Sequence, residues 1–220
     1  PAGTTGKCLV MITPDAERTM NTFLGISETL SVAELDVAAI AQSQFAYIEG
    51  YLVTSPTGRA AAIALREYAE ANNTLTALSL SDPAMVQFFR DGLVEMIGAG
   101  VDILFCNSDE AMAFTKTETL TDAAEALKKY TKNFAITCGA EGALLFDGNQ
   151  LIQVAGNKVT AVDTNGAGDM FAGAFLYAVT QGKDYKTAGE FASLAASKVV
   201  SQFGPRLKAE QHTELKKAFF

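Results

Sequence analysis

Histidine is almost missing from this chain and cysteine is sparse, and each scarcity removes a class of chemistry. Among the 220 residues there is one histidine, His212, in a polar C-terminal segment where it reads as a solvated helix residue. A Ser-His-Asp or Cys-His nucleophile system therefore lacks its base, and a histidine-rich metal centre lacks its ligands. The three cysteines, Cys8, Cys106 and Cys138, stand far apart and form no CxxC pair. That argues against a disulfide frame or a zinc site and for a reducing compartment, the cytoplasm. Positive charge is also short: 17 Lys and Arg face 25 Asp and Glu, a formal net charge of −8. No basic stripe is available to track a nucleic-acid backbone. No apolar run is long enough to cross a membrane, and the first residues lack the basic-then-apolar pattern of a signal peptide. The expected partners are small molecules, with neither nucleic acid nor membrane among them.

What is present suits a globular α/β protein. At 49% hydrophobic and 19% charged, the chain can bury a full core in one domain with room for a small appendage. Cys8 to Thr13 and Arg18 to Leu24 read as two strands around the turn at Pro14-Asp15. Ser31 and Glu34 form a capping box ahead of a helix carrying Val32, Leu35, Val37, Ala38 and Ile40. From Phe45 strands and helices alternate: strands at Phe45 to Ile48, Thr74 to Leu80, Asp102 to Cys106 and Phe134 to Thr137. Helices fall at Pro56 to about Asn72, from Ser81-Asp82-Pro83 to about Gly98, at Ser108 to Thr115 and at Thr121 to Tyr130. The strands are apolar throughout, as in a parallel sheet covered on both faces. Gly142 to Phe146 and Gln150 to Val154, joined at Asp147-Gly148, form a β-hairpin. Three helices close the chain: one ending at Thr180, one from about Tyr185 to Ser201, and an amphipathic one from Lys208.

The chain is organised around Asp163-Thr164-Asn165-Gly166-Ala167-Gly168-Asp169, which runs straight into the apolar helical segment Met170 to Leu176. The glycines thus sit where a loop becomes a helix N-terminus, where backbone N–H groups lack internal partners and small side chains let an anion approach. Asp169, in the first turn, would repel that anion unless it has a chemical task. Taking a proton from an attacking hydroxyl while the amides hold a phosphoryl group is such a task. The alternative is that Asp169 caps the helix and complements its dipole.

Two further constellations follow strand ends, where open parallel sheets bind ligands. Asn107 and Glu110, one helical turn apart, can hold the waters of a hydrated Mg²⁺ or can be an ordinary helix start. Thr137-Cys138-Gly139-Ala140-Glu141-Gly142 offers two glycines for close backbone approach and a hydroxyl for a phosphate or ribose oxygen, or is simply a glycine-rich strand exit. Gly166-x-Gly168 is not a dinucleotide fingerprint, because Phe171 stands where the third glycine would be and the segment lies near the C-terminus. A Walker A pattern is absent too.

These residues carry a family resemblance. DTNGAGDMFAGAFL, Asp163 to Leu176, resembles the C-terminal signature of the ribokinase-like (PfkB) carbohydrate kinases, with Asn165 at a variable place. Asn107-Ser108-Asp109-Glu110 resembles the family's Asn-x-x-Glu motif, and Thr137 to Gly142 its Thr-x-Gly-x-x-Gly nucleotide loop. TGKCLVMITPDAERTM resembles the later strands of its β lid, although an edge hairpin of the main sheet is the other reading of that segment. This TPDAERTM stretch and the Gly204-Pro205-Arg206 ending look most like adenosine-kinase-type and related bacterial sugar kinases.

The resemblance implies a three-layer α/β/α fold with a mainly parallel sheet. Residues 1–24 would be lid strands and residues 25–220 the nucleotide-binding and catalytic domain. It implies transfer of the γ-phosphoryl group of ATP to a hydroxyl of a sugar or nucleoside, adenosine or ribose-like. Asp169 would be the base, and Gly166, Ala167 and Gly168 the anion hole. Asn107 and Glu110 would organise Mg²⁺ through water, with Thr137, Gly139 and Gly142 on the nucleotide side. Asp163 would contribute to a monovalent-cation site for K⁺, and the lid strands would pair two copies as a homodimer. The family's N-terminal portion, with an Asp and a Gly-Gly motif that grip the sugar, has no counterpart here. A nucleotide-binding module without turnover is therefore the rival expectation, and a dehydrogenase the weaker third.

Overall fold

The structure, a computed structural model, describes residues 2–16 and 18–220. Pro1 and Glu17, both inside the expected lid segment, lie outside the described residues. The chain divides into two compact units, one holding the residues up to Lys7 with Thr22–Ile136, the other Cys8–Asn21 with Thr137–Phe220.

The N-terminal strands β1 (Lys7–Ile12) and β2 (Arg18–Phe23) form a two-stranded sheet of their own. The hairpin is therefore not an edge of the larger sheet, the alternative expected for this segment. Every described residue of β2 is exposed, and so are Leu9 and Met11 of β1.

In the first unit, the helix expected from Ser31 through Ile40 is broken in two. Ser31 does cap a turn, its hydroxyl accepting the Ala33 N–H at 3.2 Å while Glu34 accepts the Ser31 N–H at 2.7 Å. That turn is only a 3-10 piece, Val32–Glu34, after which Leu35 is extended. Asp36 is the physical reason: its carboxylate accepts the N–H groups of Ala38 and Ala39, both at 3.0 Å, and so starts a separate helix α1 (Val37–Ala41).

The alternating part follows the expected order. Strand β3 (Phe45–Glu49) leads to α2 (Pro56–Ala71), β4 (Leu75–Ser79), α3 (Pro83–Ile97), β5 (Val101–Asn107), α4 (Ser108–Thr115), α5 (Leu120–Leu127) and β6 (Thr131–Thr137). Pro56 and Pro83 occupy first turns, where a missing N–H costs nothing, behind the caps Ser55 and Asp82. β3 pairs parallel with β4 and β4 with β5, with Glu49 level with Ser79 and Ser79 level with Phe105. Ile48, Leu78, Leu104 and Phe134 are fully buried, as strands covered on both faces require.

In the second unit, β7 (Ala143–Phe146) and β8 (Leu151–Val154) pair antiparallel around Asp147-Gly148, where Gly148 takes φ 91°. The Asp147 carboxylate accepts the N–H groups of Asn149 and Gln150, both at 2.9 Å. Helices α6 (Ala167–Thr180), α7 (Tyr185–Val200) and α8 (Ala209–Phe219) complete the chain. Phe171 and Phe175 of α6 are buried, and the Phe175 ring meets Tyr185 edge-on at 5.0 Å. A buried phenylalanine of this kind stabilises by roughly 2–3 kcal/mol, enough for two of them to fix how α6 leaves its loop. Mostly parallel strands alternating with helices, and a separate antiparallel hairpin near the N-terminus, are the α/β class that the sequence predicts.

Candidate active site

The signature loop is built by its own backbone. Gly166 takes φ 77°, a left-handed conformation that glycine adopts without strain, and turns the chain into α6 with no side chain capping the helix. A β-carbon at Gly166 would overlap the carbonyl oxygen of Pro205, so the loop packs directly against the turn after α7. The Ala167 N–H donates to the Thr164 carbonyl at 3.3 Å. The N–H groups of Gly166, Gly168 and Asp169 have no partner among the described residues, and a β-carbon at Gly168 would meet nothing within 4 Å. The result is an open cluster of donors at a helix N-terminus, the electrostatic requirement for an anion.

Asp169 is exposed in that first turn, and its carboxylate makes no hydrogen bond or ion pair among the described residues. It makes no capping bond to the helix, although its place in the first turn still complements the helix dipole. Asp163 is different. It is 1% exposed, and its two carboxylate oxygens accept the N–H groups of Asn165 and Gly204, both at 2.9 Å. The residue expected to serve a monovalent cation is thus a bracket between the loop and the turn at Gly204-Pro205.

The hairpin tip reaches the same loop. Ala16, buried and at φ 66°, presents its carbonyl to Thr164, which donates its hydroxyl at 3.0 Å and its N–H at 3.4 Å. Arg18 donates from Nη1 to the Thr164 hydroxyl oxygen at 3.1 Å, which puts a cation beside the signature.

Thr137 ends β6, and the glycines that follow form a tight turn in which the Cys138 N–H donates to the Gly142 carbonyl at 2.8 Å. Gly139 and Gly142 take φ 56° and 98°. The two serve different ends: a β-carbon at Gly142 would overlap the Val154 carbonyl oxygen, whereas one at Gly139 would meet nothing within 4 Å. Gly142 is a packing requirement, and Gly139 leaves backbone open to a ligand. Burial pushes the Cys138 thiol above its ordinary pKa, opposed by a backbone N–H bond from Leu144.

Asn107 and Glu110 belong to the first unit and face each other. The Asn107 side-chain oxygen accepts the Glu110 N–H at 2.8 Å, while the Glu110 carboxylate accepts both the backbone and the side-chain N–H of Asn107, each at 2.9 Å. Glu110 is 4% exposed. The helix-start reading is therefore correct as a description of their mutual bonds, and it leaves a negative charge fixed behind the end of β5. Among the described residues no group of three or more His, Cys, Asp or Glu is placed to hold a metal ion by itself.

Residue-by-residue inspection of the sequence passes over Arg18, Glu49 and Ser81. Glu49 ends β3, and its carboxylate accepts the Ser81 hydroxyl at 2.9 Å, while that hydroxyl accepts the Gly50 N–H at 2.8 Å. Ser81 holds φ 70°, an uncommon backbone for a non-glycine residue and one that clusters at functional sites. The signals were a strand end at Glu49-Gly50 and a turn at Ser81-Asp82-Pro83. Nothing in their spacing shows that they meet.

Comparison with known proteins gives this geometry a lineage. Residues 1–212 match the family described as pfkB family carbohydrate kinase. The adenosine kinase of Dictyostelium discoideum is 30% identical over 226 residues, covering 94% of this chain and 65% of that protein. The crystal structure of adenosine kinase from Sinorhizobium meliloti superposes with a TM-score of 0.92 at 34% identity, over 97% of this chain and 66% of that one. An E. coli ribokinase-type protein solved in complex with ATP and Mg²⁺ has a TM-score of 0.86 at 21% identity, over 99% of this chain and 72% of that one, and shares the fold. The chain spans about 65% of the length of the Dictyostelium relative. With residues 1–212 matched by that family, the chain belongs to the pfkB family of carbohydrate kinases.

Proposed function

We propose that this chain carries the phosphoryl-transfer machinery of an ATP-dependent kinase acting on a hydroxyl of a nucleoside or ribose-like sugar. One observation carries the reading: Asp169 stands exposed and unpartnered in the same helical turn as the open N–H groups of Gly166 and Gly168. Bound ATP with Mg²⁺ supplies an electrophilic γ-phosphoryl group. Asp169 takes the proton from the acceptor hydroxyl, whose oxygen bonds the γ-phosphorus as the bond to the departing ADP breaks, and the amides of Gly166, Ala167 and Gly168 donate to the phosphoryl oxygens as charge builds there. For Ala167 this means exchanging its long bond to the Thr164 carbonyl.

Arg18, held on Thr164, adds positive charge at the edge of the same loop. Asn107 and Glu110 are the residues that would orient the waters of a bound Mg²⁺. Thr137 and Gly139 line the nucleotide side, with Gly142 shaping the turn that presents them. Asp163 holds the loop and is the residue through which K⁺ would act. Strands β1 and β2 form the lid, whose exposed Leu9 and Met11 cover the acceptor or pair with a second copy. Likeness to adenosine kinases supports a nucleoside acceptor, and three cysteines without a CxxC pair support a cytoplasmic enzyme.

The test is phosphorylation of adenosine, ribose, fructose and 2-keto-3-deoxygluconate with ATP, Mg²⁺ and K⁺, alongside calorimetric ATP binding. Transfer to adenosine is the expected result. Binding without transfer to any acceptor would make the chain a nucleotide-binding module instead, and no binding at all would sink the reading.

A further inference from the structure

Outside the residues assigned above, the first unit holds a cavity of about 700 Å³ among α2, α3 and α4, lined by Arg59, Phe88, Phe89, Arg90, Asp109 and Lys116 with their neighbours. The recess is broad and open to solvent, so a ligand would lie against its wall rather than be enclosed. On α4 the spacing Asp109, Ala113, Lys116 puts one face toward the cavity, while Glu110, Ala111 and Phe114 are buried.

Two features of the lining are unusual together. The first is a pair of adjacent solvent-facing aromatics: Phe88 is 69% exposed and Phe89 38%. Helical geometry lapses at Phe89 (φ −129°, ψ 22°), and both rings border the same cavity.

The second is local positive charge on a chain of net charge −8. Arg90 is fixed in place, donating to the Phe114 carbonyl at 2.7 Å and the Tyr130 hydroxyl at 3.2 Å, with its guanidinium 5.1 Å from the Phe114 ring centre. Arg59 lies along α3 because residue 92 is glycine; a β-carbon there would stand 3.1 Å from Arg59 Nη1. Lys116, in the left-handed cap of α4 at φ 58°, has no ion-pair partner among the described residues. Against these stand Asp109 and Asp91, the latter with a side chain 99% exposed and so screened by water, and Glu95, 3.6 Å from Arg59.

We propose that this cavity binds a planar aromatic anion of the nucleotide class, its ring against Phe88 and Phe89 and its phosphate between Lys116 and Arg59. Stacking on an exposed aromatic and a charge-assisted bond to an ammonium or guanidinium are each modest in water, and their combination selects ligands that have both parts. The geometry is independent of the kinase reading, since none of the residues proposed for transfer lines the cavity.

The experiment is an NMR titration of the ¹⁵N-labelled chain with AMP, ribose 5-phosphate and adenosine as probes. AMP is expected to shift the amides of Gln87 to Asp91 and of Ala113 to Lys116, with adenosine and ribose 5-phosphate at least about tenfold weaker there, the ratio expected when one of two anchors is lost. Phe88→Ser combined with Lys116→Glu, both at exposed positions, should remove these shifts and leave any at Asp163 to Asp169 untouched. Shifts confined to the signature loop would overturn the proposal. So would ribose 5-phosphate matching AMP at the cavity, which would mean a bare anion patch. A concentration-dependent dimer dissolved by Phe88→Ser would overturn it as well, giving the surface to a second copy. The wild-type shift map decides between these results even if the double variant folds poorly.

Discussion

Gly166 and Pro205 are in backbone contact: a β-carbon on Gly166 would stand 2.8 Å from Pro205 Cα and would overlap the Pro205 carbonyl oxygen. Gly168, two residues on, faces open space. The two glycines of one motif therefore do different work. Gly166 lets two segments of protein meet, and Gly168 leaves the space beside the helix N-terminus open.

Opposite outcomes are expected on placing alanine at the two positions. Gly166→Ala combines a left-handed backbone with a steric overlap and should lower unfolding stability by about 2 kcal/mol or more. Gly168→Ala sits in a helical turn without neighbours and should leave stability unchanged or raise it by about 0.5–1 kcal/mol. Any loss of ATP affinity in Gly168→Ala then reports the ligand directly. Urea denaturation with calorimetric titration separates the two effects.

Asp163→Asn tests the bracket. Both carboxylate oxygens accept backbone N–H groups, and a carboxamide can accept only through one of its two ends. One buried donor is left unsatisfied, which costs about 1–3 kcal/mol. Denaturation midpoints of the variant and its parent would show it. Equal midpoints would mean that the loop holds its shape without Asp163.

Asp169→Asn separates binding from chemistry. The exposed carboxylate has no structural bond to lose, so stability should fall by no more than the roughly 0.3–1 kcal/mol of its interaction with the helix dipole. Removing the base should cut transfer by at least about a thousandfold while ATP affinity stays within about threefold. Comparable transfer by the mutant and an active parent would remove Asp169 from the mechanism.

A pH dependence follows from Asp102 and Lys132. Burial works to raise the Asp102 pKa, but hydrogen bonds from Lys132 at 2.7 Å and from the N–H and hydroxyl of Thr76 outweigh it and hold the carboxyl below its ordinary 3.8. The hydrogen bond and charge of Asp102 push the Lys132 ammonium above 10.5. A depressed carboxyl stabilises above its unfolded pKa and loses that contribution as pH falls through the folded one. A raised ammonium stabilises below its unfolded pKa and loses it as pH rises through the folded one. The pair should therefore contribute fully between about pH 4 and pH 10, and Asp102→Asn should flatten the acid limb of a stability–pH curve. An acid limb unchanged in the variant would place the titrating groups elsewhere.

Thiol reactivity should follow exposure. Cys8 is exposed, Cys106 is buried, and burial keeps the Cys138 thiol protonated at neutral pH. Limited alkylation with iodoacetamide followed by mass mapping should label Cys8 first. Labelling of Cys138 ahead of Cys8 would show that its loop opens in solution.

Local chemistry made much of this protein legible from its residues. Pro56 and Pro83 marked first turns, Asp147-Gly148 marked a hairpin, and the apolar strands marked a covered parallel sheet, because each depends on a backbone preference carried by the residues themselves. The signature loop was legible for the same reason: Gly166, Ala167, Gly168 and Asp169 announce a helix N-terminus before any packing is known. Only the tertiary structure decided the rest, because the rest consists of meetings between distant segments. Asp36 won the competition to start α1, Asp163 turned out to clamp Gly204, Ser81 met Glu49, and Arg18 reached Thr164 across the chain. Spacing along a sequence fixes which groups share a turn or a face, whereas which of them share a hydrogen bond depends on how strands and loops far apart in the chain come together.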